Sequence, residues 1–145
     1  MQRTFIIMEQ KNKNLLLRDL CSRLPYGVIL NCCNSIGEKL TSISENGLIN
    51  HDYDIDEVKP YLFPLSSMTE EQLNELKEYS GLKYSASLLE LNTWTDECTT
   101  LEFWLEETPS YVVIKVFDWL NEHHFDYRNL IDKNLAIDCT NLNIY

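Results

Sequence analysis

The hydrophobic period of the chain changes abruptly at Pro25 and Gly27. Before this point, leucines recur at helical spacing with charged residues between them, which predicts a helix from Lys13 to Leu24 that the proline and the glycine end. After it, Tyr26 to Cys33 is an apolar run rich in strand-forming residues, which predicts a strand. A helix followed at once by a strand indicates a fold that mixes the two.

Two turn signals divide the residues that follow into further strands. Asn34 to Gly37 supplies turn chemistry before Lys39 to Ser44, which predicts a second strand. Glu45-Asn46-Gly47 is another turn, because Asn-Gly is the strongest short hairpin signal, and it leads into a third strand from Leu48 to Tyr53. The spacing therefore predicts an antiparallel meander.

Two further helices carry start signals of their own. Thr69 to Gln72 matches a capping box, and the helix that it opens ends at Gly81. Tyr84 to Leu91 and Leu101 to Leu105 read as strands. Thr108-Pro109 is a good cap and first-turn pair for a last helix, although its β-branched residues would also suit a strand. The apolar face of this helix is Val112, Val113, Val116, Phe117 and Leu120.

No repeat, low-complexity tract or linker divides the chain. Its 145 residues match one ordinary domain, long enough to bury roughly 70% of the surface that the unfolded chain exposes. We expect a single globular domain over residues 1–145 of the α+β class, with a small antiparallel sheet of about four to five strands packed against two to three helices. Residues 1–12 are expected to be disordered or to form an upstream extension.

The net charge of −11 is concentrated in the middle of the chain. Residues 1–44 hold six basic and three acidic residues, residues 45–122 hold four and seventeen, and residues 123–145 hold two and three. Such a field repels phosphate backbones and anionic lipid, which disfavours membrane association and also direct nucleic-acid binding, unless the basic N-terminal segment is used. The acidic middle can meet a basic protein, it can compete for a DNA-binding protein by imitating its ligand, or it can serve solubility alone.

The cysteines and the apolar runs indicate the cellular compartment. The five cysteines are odd in number and show no CxxC spacing, which favours reduced thiols over a disulfide framework. Alternation in a strand would send Cys32 and Cys33 to opposite faces. No apolar run approaches the roughly 20 residues that a spanning helix needs. We therefore expect a cytoplasmic protein.

The segment from His123 to Arg128 crowds imidazole, carboxylate, phenol and guanidinium groups into six residues. Because adjacent residues on a helix point about 100° apart, its two histidines cannot both chelate one ion from an intact helix. The favoured interpretation is structural: imidazole interacts with the last carbonyls of the helix, and the arginine pairs with Asp126 or a neighbouring acid. Its candidate site residues are His124, Asp126, Tyr127 and Arg128.

A second candidate segment, Lys59 to Leu65, is bracketed by prolines that favour extended conformations. It carries four large apolar side chains, which would mark a binding surface if exposed and a strap over the core if buried. The candidate interaction residues here are Tyr61, Leu62 and Phe63.

Four blocks of the chain resemble, in order, a group of short uncharacterised proteins of gut bacteria, some encoded beside phage or mobile elements. The blocks are Asp19–Val28, Lys59–Gln72, Trp119–Arg128 and Leu135–Asp138. The resemblance implies no activity, cofactor or catalytic residue, and it begins after Met8. It implies glycine where this chain has Asn129 and Asn134. Independently of it, Asn134 and Asn141 stand where a left-handed residue would help the tail to turn.

Two functions from different classes follow from these observations. The first is a non-catalytic interaction module that binds another protein through its acidic middle or through residues 60–65, with a basic protein as the expected partner and with no cofactor and no metal. The second is a small metal-dependent enzyme or metalloprotein that uses the His123–Arg128 segment. The first is favoured, because GxGxxG, GxxxxGK[ST] and HExxH motifs are all lacking and no serine or cysteine stands in a recognisable nucleophile setting.

Overall fold

A computed structural model describes residues 8–33, 35–81 and 110–145. The chain divides into two compact units, one formed by the residues up to Pro60 together with Tyr145, and the other by Tyr61–Ile144. The described part contains three α-helices and five strands, which confirms the predicted α+β class. The strands predicted between residues 84 and 105, the cap at residues 108–109 and the prediction for residues 1–7 lie outside the described residues.

The first unit begins with helix α1, Gln10–Arg23, which starts three residues before the predicted Lys13. A 3₁₀ helix, Leu24–Tyr26, continues it. The chain then turns at Gly27, whose φ of 66° lies in the left-handed region that glycine adopts without a steric penalty. Leu16 and Leu20 of α1 are fully buried, so the leucine period marks the core face as predicted.

Two of the charged residues between these leucines are also buried. Asp19 and Arg23 are both 0% exposed, and the Nε atom of Arg23 lies 2.8 Å from Oδ2 of Asp19. Burial of both charges is tolerated because they pair with ideal i, i+4 spacing on one helix, whereas either charge alone would carry a large desolvation penalty. Both residues belong to the first unit.

Strands β1, Ile29–Cys32, and β2, Ser35–Lys39, form an antiparallel hairpin. The predicted turn at residues 34–37 is therefore wrong for residues 35–37, which are strand. Gly37 suggested a turn, but it lies inside the strand at an irregularity in the register, between the pairs Leu30↔Glu38 and Asn31↔Ile36, where it has a φ of 80°. A glycine at such a position is typical of a β-bulge inside a strand.

The rest of the predicted meander, residues 40–53, forms isolated β-bridges instead of the two strands that were predicted there. Ile49 pairs with Ile43 and with Tyr53, and the predicted Asn-Gly turn is confirmed by the Gly47 N–H, which donates to the Ser44 carbonyl at 2.9 Å. Asn50 holds this region together. Its side-chain oxygen accepts the N–H groups of residues 41 and 42 at 2.7 and 3.2 Å, and its amide donates to the carbonyl of residue 39 at 2.8 Å.

Strand β3, Val58–Pro64, contributes to both units. Its residues up to Pro60 pair antiparallel with β1 in the first unit. In the second unit its later residues pair in parallel with two short strands, β4 at Phe125–Asp126 and β5 at Ile137–Asp138. The prediction of a purely antiparallel sheet is corrected to a mixed one. Parallel pairing needs a long crossover, and the described residues between β3 and β4 include two α-helices.

Helices α2, Glu70–Ser80, and α3, Ser110–Glu122, pack against each other in the second unit. The predicted capping box at Thr69 is confirmed, because its hydroxyl accepts the Gln72 N–H at 3.1 Å and the Gln72 side chain accepts the Thr69 N–H at 2.9 Å. The core of this unit includes Val112, Val116, Trp119 and Leu120, with Val113 and Phe117 half-buried against it. No helix in these described ranges is long and apolar enough to cross a bilayer.

Candidate functional site

Strand pairing brings together the two segments that the sequence marks separately. Phe63 of β3 pairs with Phe125 of β4, and the Phe63 N–H donates to the His124 carbonyl at 2.9 Å. Tyr61 pairs with Ile137 on β5. The candidate residues of both segments therefore belong to one part of the second unit, a juxtaposition that comes from parallel pairing across long stretches of sequence.

Within this arrangement β3 is part of the interior. The side chains of Tyr61 and Leu62 are buried, and Phe63 is half-buried, with its ring centroid 5.9 Å from that of Phe125. Because a partner protein can contact only exposed atoms, the structure places the first two of these candidate interaction residues in the core.

Helix α3 ends at the two histidines. The His123 N–H donates to the Trp119 carbonyl at 3.0 Å, and His124 adopts a φ of 64°, which turns the chain out of the helix. The Nδ1 atom of His123 lies 2.9 Å from the same carbonyl oxygen. This contact confirms the prediction that imidazole interacts with the last carbonyls of the helix, where the macrodipole favours a donor.

The His123 ring also stacks on the indole of Trp119, with centroids 4.0 Å apart and planes inclined by 19°. On its other edge, Nε2 lies 3.7 Å from an oxygen of Glu75 on α2. The His123 side chain thus contacts the buried Trp119 with one face of its ring and the exposed Glu75 with one edge. Trp119 completes an aromatic cluster with Phe125, at a centroid distance of 5.8 Å.

The buried carboxylate of Asp126 organises the turn that follows β4. Its Oδ1 accepts the N–H groups of Arg128 and Leu130 at 3.2 and 3.1 Å, and its Oδ2 accepts that of Ile131 at 2.9 Å. Three backbone donors converging on one carboxylate fix the path of the chain. Within this turn Asn129 has a φ of 61°, a conformation that asparagine tolerates.

Tyr127 is the buried neighbour of this carboxylate. Its hydroxyl donates to Oδ1 of Asn121 on α3 at 2.8 Å, and its ring meets that of Phe117 edge-on at 4.9 Å. The guanidinium of Arg128 lies over the same ring, 5.0 Å from the centroid, with Nη2 at 3.4 Å from the hydroxyl. The phenol therefore ties the turn to the helix, and the arginine covers it.

The chemistry open to these groups is limited by their structural contacts. Among the described residues, no group of three or more histidine, cysteine and acidic side chains could hold a metal ion. Burial raises the pKa of the Cys32 and Cys139 thiols to about 11, which suppresses the nucleophilic thiolate at neutral pH. Cys32, the last residue of β1, is buried, and Cys33, in the turn that follows, is exposed.

The sequence located the acidity of the middle region but did not assign it to a surface. On α2, Glu71, Glu75 and Glu78 follow one another at spacings of four and three residues, and all three are exposed. Residues with this spacing share one side of a helix. Lys77, the single lysine of α2, stands one residue from Glu78 and two from Glu75, spacings that do not face each other. The spacing of the three glutamates in a capped helix was the signal that could have located this acidic face.

No protein-family model, curated protein or solved structure matches this chain.

Proposed function

We propose that this protein is a cytoplasmic, non-catalytic interaction module that binds a basic protein through the acidic face of α2, defined by Glu71, Glu75 and Glu78. The exposure of these three side chains on one side of the helix carries the proposal. Exposed carboxylates complement a positively charged partner, speed its approach and favour one orientation of it.

The arrangement of like charges on α2 supports this assignment. Glutamates at i, i+4 repel each other and destabilise a helix by about 0.2–0.5 kcal/mol per pair. An acid in the first turn is favourable because it faces the positive end of the helix dipole, but Glu75 and Glu78 lie beyond that turn. A basic partner would relieve this repulsion.

The segment His123–Arg128 supports a structural role better than catalysis. Asp126 accepts three backbone N–H groups, and Tyr127 donates its hydroxyl proton to Asn121. A catalytic acid or base needs a proton-transfer partner in the substrate, whereas these groups already bridge elements of the fold. This segment is accordingly proposed to stabilise the second unit.

Binding to a blocked twelve-residue peptide of alternating lysine and arginine tests the proposal. A triple variant with Glu71, Glu75 and Glu78 changed to glutamine should bind at least about tenfold more weakly, a loss equivalent to about 1.4 kcal/mol. The affinity of the unmodified protein should also fall steeply with added salt, because exposed charges are screened.

The matched control removes three charges elsewhere, with Glu9→Gln, Glu45→Gln and Asp52→Asn, all at exposed positions. Its net charge equals that of the α2 triple variant, so it should bind the peptide within about threefold of the unmodified protein. Equal losses in the two triple variants would reject the α2 face and leave only a general charge effect.

The metalloprotein alternative has a separate test. We expect the purified protein to contain no stoichiometric zinc by elemental analysis, and its melting temperature to be unchanged by a chelator. A bound metal at a hundred times its dissociation constant would add about 2.7 kcal/mol to the free energy of unfolding. One equivalent of zinc that is lost in His124→Ala would make the second function the better one.

A further inference from the structure

A polar groove of about 390 Å³ lies in the first unit, beside the first half of α1. This volume falls within the range typical of small-ligand sites, about 300–1,000 Å³. One wall is formed by Gln10, Lys13, Asn14 and Leu17. These residues share one side of the helix by their spacing, and this side differs from the one that carries the buried leucines.

The rest of the lining comes from two turns. One contains Asn46 and Gly47, and the other contains Asp54, Ile55 and Asp56. The second turn is a 3₁₀ helix that contacts α1. The Asp54 main-chain carbonyl accepts the Glu57 N–H at 3.0 Å, and the Asp54 N–H donates to the Glu57 side chain at 3.0 Å. These two bonds fix the start of the 3₁₀ helix at the groove.

The side chains that line the groove carry more negative than positive charge. Asp54 and Asp56 bring two carboxylates, against the one ammonium group of Lys13. Asp56 is exposed, and its carboxylate makes no ion pair within the described ranges. The groove can therefore accept a cation, and Lys13 would weaken the binding of that cation by repulsion.

The uncharged lining restricts the shape of that cation. Gln10 donates its side-chain amide to Oδ1 of Asn14 at 2.9 Å, so the Gln10 carbonyl oxygen is left as an acceptor. Leu17 and Ile55 are half-buried and supply apolar surface. A cation with several donors in one plane and an apolar stem satisfies both features, and arginine has these properties while lysine presents a compact point charge.

We propose that this groove binds an arginine side chain of the basic partner, with the guanidinium at Asp56 and the aliphatic stem against Leu17 and Ile55. The inference rests on the proposed function, because it assumes a basic protein partner, but it uses residues that the acidic face of α2 does not contain.

A titration of the ¹⁵N-labelled full chain with the peptide acetyl-Gly-Gly-Arg-Gly-Gly-amide tests the inference. The amide signals of Asn14, Asn46 and Gly47 should shift, and the matched peptide with citrulline, a neutral isostere of arginine, should shift them at least about fivefold less, since it lacks the charge that the carboxylates attract. The lysine peptide should fall between the two. Equal shifts with citrulline would overturn the inference.

Three variants are expected to change the binding of the arginine peptide in different ways. Asp56→Asn should weaken binding of the arginine peptide at least about fivefold, whereas Lys13→Gln should strengthen it about twofold by removing a like charge. Asp52→Asn, an exposed acid outside the groove lining, should leave it unchanged. Unaltered binding in Asp56→Asn, or weaker binding in Lys13→Gln, would contradict the arginine site.

The twelve-residue basic peptide separates this inference from the proposed function. If the α2 triple variant binds the twelve-residue peptide more weakly but Asp56→Asn leaves binding of the arginine peptide unchanged, the proposed function stands and the groove assignment fails. If the α2 triple variant binds it normally while Asp56→Asn weakens both peptides, the assignment to α2 fails and the groove is the cationic site.

Discussion

Replacing Asp126 with asparagine tests whether its carboxylate anchors the turn after β4. The oxygen Oδ1 accepts the N–H groups of Arg128 and Leu130, and Oδ2 accepts that of Ile131 at 2.9 Å. Asparagine can keep the first oxygen, but it places an amide donor where the second oxygen stands. The Ile131 N–H would then face another donor, and the other two bonds would lose the negative charge of their acceptor.

The size of the effect follows from the difference between charged and neutral hydrogen bonds. A bond to a charged group contributes about 1.5–3 kcal/mol and a neutral one about 0.5–1.5 kcal/mol. Losing one charged bond and weakening two others amounts to about 3 kcal/mol, since bonds to one carboxylate are not additive. For a chain of this length, that loss corresponds to a fall in melting temperature of roughly 6–12 °C.

Urea denaturation followed by tryptophan fluorescence measures this change, with Asp138→Asn as the matched control. Asp138 is exposed and accepts the Thr140 N–H at 2.9 Å. Because water solvates this side chain in both variants, the free energy of unfolding should fall by less than about 1 kcal/mol. A loss of less than 1 kcal/mol in Asp126→Asn, or equal losses in both variants, would show that the buried carboxylate does not hold the turn.

Three further predictions follow from single side chains. His51 is exposed with a φ of 67°, so His51→Gly should raise the free energy of unfolding by about 0.5 kcal/mol in thermal denaturation, because glycine adopts this conformation without a steric penalty; a loss of stability would contradict the argument. Leu120 is fully buried and Lys115 exposed, so Leu120→Ala should cost about 2–5 kcal/mol and Lys115→Ala less than about 0.5 kcal/mol, and similar melting of the two would show that the face is misassigned. Burial raises the pKa of Cys32 to about 11, so roughly one in a thousand of its thiols is ionised at pH 8. Peptide mapping after iodoacetamide treatment should find Cys33 modified well before Cys32, and the rate of Cys32 modification should rise with pH. Equal modification rates for the two cysteines would refute the burial of Cys32.

The ends of α2 show what the sequence alone could determine. A helix cap depends on residues within four positions of each other, and the sequence carries both ends, the capping box at Thr69 and the left-handed Gly81. Asn134, with a φ of 59°, adopts the left-handed conformation that was predicted for it, whereas Asn141 does not have a positive φ. Local chemistry is sufficient where the energy of a conformation is decided by neighbours in sequence.

The candidate site shows what only the tertiary structure decided. Sequence reasoning selected Asp126 because ionisable groups crowd its segment and Tyr61 because it lies in a proline-bracketed apolar segment, but it could not show that both are buried. Burial of Asp19 and Arg23 was equally hidden, because charged residues between leucines look the same on a helix whether or not another element covers them. The cost of burying a charge depends on distant residues that remove water and supply partners, and parallel pairing of β3 joins residues more than sixty positions apart. Such interactions leave no local pattern, and for this reason the sequence predicted the elements and the three-dimensional packing decided the roles of their side chains.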